Sequence, residues 1–353
     1  MEIETPKVQA CAYEVKNILQ RNDISENFMA EWPKNLKIDV LDKKDRMIVF
    51  EVSGISPAIA NTIRRVLIAE IPTMAIETCF VNNNTSVMQD EVLCHRLGLI
   101  PIKAEPNDFE YVTEKNNFTD ANSIKFSLKV KCPSKAELQT MPRSDPTNPK
   151  PVEYMTVYSH SIKATRVGKQ LNNLCVADDD IIVMKLAPGQ EIDIDMYAVK
   201  GVGQDHAKWS PVCTASYRMR PDIYINKPKY NQDAIDLVKC CPMGVFDIED
   251  LGNGKIQAVV NKPMNCSLCR ECIRGEGKEE DVLLYRVKND FIYTVESTGV
   301  IPVETIMNRA LEVIKSKCAV ILNEINKIER GDIEQTKDEE QDEEEEMDAD
   351  AQE

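Results

Sequence analysis

The sequence predicts an α+β fold, on three observations. Two amphipathic helical patterns stand far apart in the chain, a long stretch of short β-like runs lies between them, and a small cysteine-bearing unit precedes the second helix. A chain of 353 residues can bury a full core, and two or three domains are expected.

The elements follow in order. Residues 1–36 are polar and weakly patterned, which predicts an N-terminal extension laid over the surface. Runs at 37–41 and 47–52 flank the charged turn Asp42-Lys43-Lys44-Asp45 and read as a strand pair. The helix at 57–71 has both ends marked. Ser56 suits the N-cap, Pro57 the first helical position, and Pro72 ends the pattern. Ile59, Ile63, Val66, Leu67 and Ile71 recur at helical spacing and form its apolar stripe.

From about 74 to 225 the chain reads as short strands at 123–130, 154–162, 180–186, 192–199 and 213–217, separated by Pro- and Asn-rich loops such as 140–152. A cysteine-bearing unit occupies 226–280, and a last strand at 290–296 leads into a helix from 302 to 330. Val303, Ile306, Met307, Ala310, Ile314, Cys318, Ile321, Ile325 and Ile328 make one continuous stripe along that helix. At ~42 Å it outruns a compact domain of this size, which favours either packing on a partner chain or covering its own sheet.

The formal charge of −16 is mostly local. Residues 332–353 hold thirteen acids and one lysine, which leaves about −4 for the rest. This segment reads as a disordered acidic tail, solubilising or able to dock a basic partner. No basic footprint of an autonomous nucleic-acid binder is present, so direct base-specific contact is not expected. Met1-Glu2-Ile3-Glu4 lacks the basic and apolar regions of a signal peptide. No apolar run reaches the roughly 18 residues a membrane span needs.

Twelve cysteines without a secretion signal favour thiols or metal ligands over disulfides. Cys11, Cys79, Cys94, Cys132, Cys175, Cys213 and Cys318 are scattered singly and read as small buried hydrophobes. The others cluster. Cys266, Cys269 and Cys272 form C-x2-C-x2-C, and Cys240-Cys241-Pro242 lies upstream. Between them runs at 244–247 and 256–260 flank Leu251-Gly252-Asn253-Gly254, a strong hairpin signal that folds Cys241 back towards the other three. Three thiolates at this spacing plus a remote Cys-Pro are the ligand pattern of a ferredoxin-type [4Fe–4S] cluster, incomplete here, so one cluster at most. A four-cysteine zinc site and a metal-free remnant stay open. Lys239, Lys262, Arg270 and Arg274 are available to offset an anionic cluster.

No catalytic constellation emerges. His95 and His206 have no triad or His-x3-His partners, Gly201-Val202-Gly203 lacks the strand–helix context of a nucleotide site, and Asp178-Asp179-Asp180 reads as a solvated loop.

Four segments carry a resemblance. The run from Asn61-Thr62-Ile63-Arg64-Arg65 to Ile76-Glu77 resembles the first-helix signature of the α-like subunit family of DNA-directed RNA polymerases. The run from Asn84-Thr85-Ser86 to Ile100-Pro101 is similar to the second signature of its archaeal and eukaryotic branch. So is Asp205-His206-Ala207-Lys208-Trp209-Ser210-Pro211, and Tyr293-Thr294-Val295-Glu296-Ser297-Thr298-Gly299 resembles the closing strand. The wording of 84–104 and 214–218, with the N-terminal extension, looks closer to the members shared by polymerases I and III than to the polymerase II counterparts.

The resemblance implies a discontinuous α-like dimerisation domain (37–75 and 281–330), a mainly β insertion domain (76–225) and a ferredoxin-like subdomain (226–280), ahead of the tail at 331–353. It implies a non-catalytic scaffold in the nucleus (nucleolus and nucleoplasm), with assembly in the cytoplasm possible, that supports transcription of rRNA and small RNAs (5S rRNA and tRNA). The stripes holding Ile63 and Leu67, and Ile306, Ala310, Ile314 and Ile321, would bury against a smaller α-like subunit. Arg64 and Arg65 would meet the second-largest subunit, and Asp90, Glu91, His95, Arg96, His206, Lys208 and Trp209 are further candidate contacts to it and to other polymerase I/III subunits. Archaeal counterparts often carry a cluster, and this sequence has cysteine at all four ligand positions: Cys241, Cys266, Cys269 and Cys272. The rival readings are an iron–sulfur redox protein with a docking platform, a polymerase II or archaeal counterpart, and an acidic chaperone that would need the tail.

Overall fold

The computed structural model describes residues 7–17, 34–114, 117–140, 153–166, 175–275 and 278–330. Two short strands come first, β1 (Lys7–Ala10) and β2 (Val15–Asn17). β3 (Lys37–Lys43) and β4 (Met47–Ser53) form a hairpin, and α1 (Pro57–Ala69) follows. The middle of the chain holds β5 (Thr73–Asn84), α2 (Asp90–Gly98), β6 (Ile102–Lys103), β7 (Ser123–Lys131), α3 (Lys135–Thr140), β8 (Met155–Tyr158), β9 (Lys163–Arg166), β10 (Cys175–Val176), β11 (Ile182–Leu186) and β12 (Glu191–Gly201). It closes with β13 (Val212–Ile225), α4 (Asn231–Cys240), β14 (Phe246–Asp250), β15 (Ile256–Val260), β16 (Val282–Ser297) and α5 (Val303–Arg330).

β16 is the spine. β13 pairs along one of its edges, while the other edge takes β1 on its first half and β4 on its second. The strand therefore serves two cores. Its second half carries Phe291, Tyr293 and Val295 into a core with Phe50, Val52, Leu67, Ile301 and Ile306. There Tyr293 stacks on Phe50 at 5.1 Å and its buried hydroxyl donates to the Ala60 carbonyl at 2.9 Å, tying the sheet to α1. Its first half carries Val282 and Leu284 into a core with Ile223, Leu237, Phe246 and Cys266.

A third core fills the middle of the chain. β12 lies between β5 and β7, with β9 beyond, all antiparallel. Its alternation drives this arrangement: Ile192, Ile194, Met196 and Ala198 point inward and are buried, against Leu93 and Leu97 of α2. Asp193 and Asp195 face outward to Lys129 and Lys125, at 3.0 and 2.9 Å.

The α+β architecture is that of the sequence reading, with three differences. Residues 7–10 are not a surface extension: they add a strand to β16 and bury Ala10, because half of one β16 edge would otherwise stand unpaired. The last part of the expected insertion, from 212 on, pairs with β16 and belongs to the large sheet. α2 and α4 arise where only strands and a cysteine unit were expected. The loop at 141–152 and the acidic tail lie outside the described residues.

Candidate functional site

α5 is divided by burial. Val303, Ile306 and Ala310 sit in the chain's own core, and Val313 and Ile314 are half-buried. Ion pairs from Glu304 to Lys43 and Arg309 to Glu105 hold this half, and one from Lys317 to Glu70 holds the turn after it, at 2.5–2.6 Å. From residue 315 to Arg330 every residue is exposed. That free half still carries an apolar face, with Ile321 at 60%, Ile325 at 44% and Ile328 at 60% exposure. Ile59 on α1 is exposed as well, and Ile63 is half-buried.

This corrects part of the expected partner surface. Leu67, Ile306 and Ala310 are fully buried against β4 and β16 and cannot touch another chain. The helix is shared: residues 303–314 cover this chain's sheet, and residues 315–330 stay exposed, tied back among the described residues by the Lys317–Glu70 pair.

A second surface gathers the other candidates. Arg65 is exposed, whereas Arg64 donates back to Asn61 at 2.9 and 3.2 Å. Asp90, Glu91, His95 and Arg96 line the exposed side of α2, and the Arg96 guanidinium donates to the Ile182 and Val183 carbonyls at 2.8 and 3.0 Å. The loop before β13 folds onto this helix, so that the rings of His95 and His206 meet edge to face at 6.2 Å. Lys208 lies over the Trp209 ring at 4.5 Å and donates to the Ile76 carbonyl and the Glu77 carboxylate.

Trp209 is an anchor rather than a contact. It is buried, donating from its indole nitrogen to the Val199 carbonyl at 3.1 Å. Gly201 makes room for it: a Cβ there would stand 2.4 Å from the Trp209 ring, and one at Gly203 would stand 2.3 Å from the Ile68 carbonyl oxygen. These glycines, read as a plain turn, let the loop lie against α1 and β12. Of the scattered cysteines, Cys11 and Cys132 are buried as expected, but Cys175, Cys213 and Cys318 are exposed.

The third candidate is the cysteine centre. α4 delivers Cys241 at its C-cap, and the β14–β15 hairpin turns through Asn253 and Gly254, both with left-handed φ (55° and 72°). The chain then returns through Cys266–Cys272 in a curl that holds Leu268 and Arg270 at φ 58° and 66°. Non-glycine residues seldom adopt this conformation, so the loop is held there by its surroundings. Cys241, Cys266, Cys269 and Cys272 line one recess of about 320 Å³, counting its open mouth, walled by Ile223, Val245, Phe246 and Leu284. Cys240 turns to a neighbouring pocket that Cys272 also borders. Burial, reinforced by the other thiols, pushes the Cys272 thiol up to about 12. Among the described residues, no three His, Cys, Asp or Glu side chains converge tightly on a single point.

Of the four expected charges Arg270 lines this recess, but the other three do not: Lys239, Lys262 and Arg274 are exposed, and Arg274 pairs with Glu271. Instead Arg286 of β16, only 8% exposed, donates to the Cys266 carbonyl at 3.0 Å, and Arg218 of β13 donates to Met264 O at 2.7 Å and reaches Cys266 O at 3.5 Å. Arg286 Nη1 is buried without a hydrogen-bond partner. Burial lowers the Arg286 pKa from its ordinary value.

The RNA polymerase Rpb3/Rpb11 dimerisation domain matches residues 49–318, most of the chain. The chain belongs to this family. It is 40% identical over 301 residues to the DNA-directed RNA polymerases I and III subunit rpac1 of Dictyostelium discoideum, covering 84% of this chain and 83% of that one. Against RPAC1 of Homo sapiens it is 39% identical over 305 residues, covering 84% and 86%. The polymerase II subunit rpb3 of D. discoideum stands further off, at 33% over 291 residues, covering 80% and 92%. The Rpb3/Rpb11 match begins in β4 and ends in α5 just beyond the turn where burial stops.

Proposed function

We propose that this chain is a non-catalytic assembly subunit of nuclear RNA polymerases I and III. The observation that carries this reading is α5: one half is committed to the chain's own core, and the other half projects an apolar face with no cover. A smaller α-like subunit laying its own helix across Ile321, Ile325 and Ile328 would bury that face. Obligate interfaces of this kind commonly remove about 2,000 Å² or more from water. The greater identity to relatives named for polymerases I and III than to the polymerase II subunit favours the shared role. The second-largest subunit would dock on the surface made by Arg65, Asp90, Glu91, His95 and His206, all exposed, the first four on α1 and α2 and His206 on the loop before β13. Transcription of rRNA and small RNAs, and residence in nucleolus and nucleoplasm after assembly, follow from that role. Co-purification tests it: both partners should be recovered with the wild-type chain, and recovery without either would contradict it.

The cysteine centre fits a metal staple. Four thiols line the recess together with Ser267 and Arg270, and the chain beside it holds a buried arginine nitrogen without a hydrogen-bond partner. A four-thiolate ligand set suits one [4Fe–4S] cluster or a zinc ion. When bound, the group would cross-link α4 to the 266–272 curl. Iron, sulfide and zinc analysis of anaerobically purified protein distinguishes cluster, zinc and neither. A reversible one-electron couple in the isolated chain would favour the redox reading instead.

A further inference from the structure

We infer that Arg286, seconded by Arg218, is the built-in counter-charge of a four-thiolate centre at Cys241, Cys266, Cys269 and Cys272, a reading that rests on the metal site proposed above. Arg286 stands in the first half of β16 and is 8% exposed. One of its nitrogens donates to the Cys266 carbonyl at 3.0 Å, and Arg218 reaches the same oxygen at 3.5 Å. Two guanidiniums thus converge on the backbone of one ligand. Among the described residues neither forms an ion pair with a carboxylate, and Arg286 Nη1 has no partner at all.

A carbonyl oxygen satisfies a donor but does not neutralise a charge, and a buried charge without a counter-ion is strongly unfavourable. The group acting on Arg286 that can become anionic is the Cys266 thiol, with Cys241, Cys269 and Cys272 around the same recess. As thiols they leave the cation unmatched. Ligated, each sulfur gives its proton to solvent, and four thiolates around a divalent zinc or a dicationic [4Fe–4S] core carry a net double negative charge. The same arginine therefore destabilises the unloaded fold and stabilises the loaded one. It acts as a positioning residue, through the Cys266 backbone and through charge. Arg270, half-buried on the recess wall, adds to this charge, whereas the exposed Lys239, Lys262 and Arg274 are screened by water and contribute far less.

The sign reversal makes the test. The full chain is co-expressed anaerobically with its small α-like partner, as wild type, Arg286→Met and Arg286→Lys, each also in a Cys269→Ser background that cannot load. Iron, sulfide, zinc, chelator-extraction rate and melting temperature are measured. In the loadable background Arg286→Met should hasten metal loss by about 10–100-fold and lower the melting temperature, and Arg286→Lys should restore much of both. In the Cys269→Ser background Arg286→Met should leave the melting temperature unchanged or raise it. An equal loss in both backgrounds, or unchanged metal retention, overturns the inference and makes Arg286 a plain structural clamp. Wild-type protein free of iron, sulfide and zinc overturns the metal reading beneath it.

Discussion

Cys269 occupies the centre of the 266–272 curl, flanked by two residues in left-handed conformation, so its sulfur is placed by backbone geometry rather than by burial. Replacing it with serine should remove bound metal and loosen the curl while leaving α1 and α5 in place, as metal analysis and proteolysis of the 241–272 region would report. Cys272 supplies a pH dependence. Its thiol is held at about 12, above the ordinary 9.0, so the folded unloaded chain binds that proton more tightly than the unfolded chain does. The stability this contributes is present below pH ~9 and is lost as pH rises towards ~12. Unloaded protein should therefore melt at lower temperature across that alkaline window. Loading has to release the same proton, so metal occupancy should fall as pH falls, by titration against a chelator. The grouping of Cys266, Cys269 and Cys272 was legible because their spacing is local. Arg218 and Arg286 were not, since single arginines in two strands distant in sequence become neighbours only when β13 pairs with β16. Trp209 was misjudged for a similar reason: a motif resemblance marks a residue as important without saying whether it faces in or out.

α5 holds both roles of the chain, and substitutions along it should separate them. Ile306→Ala removes a fully buried side chain and should cost about 2–5 kcal/mol of chain stability, measured by denaturant unfolding. Ile321→Asp together with Ile325→Asp falls on the exposed half, should leave that stability within about 0.5 kcal/mol, and should abolish pairing with the smaller subunit. On the neighbouring loop, Gly201→Ala drives a methyl into the Trp209 ring and should cost about 1–3 kcal/mol. The helices themselves were readable from Ser56, Pro57 and the three-and-four spacing of apolar residues. The place where the α5 stripe passes from own core to free face was not, because the periodicity is continuous across it. β1 escaped notice because four residues are too few for alternation to stand out, and only the open edge of β16 gives them a place.

At the scale of the whole molecule, β16 links the core under α1 and α5 to the core around the cysteines, so the proposed metal and the proposed partner would act on one continuous sheet. Removing residues 332–353 takes away most of the formal negative charge and leaves every residue of both cores in the chain, so pairing and metal content should be unchanged, as gel filtration and metal analysis of the truncated chain would show. The central claim is that this chain is half of an obligate heterodimer, and native mass spectrometry of the chain co-expressed with a small α-like subunit tests it most directly. The account predicts a one-to-one complex that Ile321→Asp with Ile325→Asp dissolves, whereas a chain that stays monomeric and soluble beside that partner would contradict it.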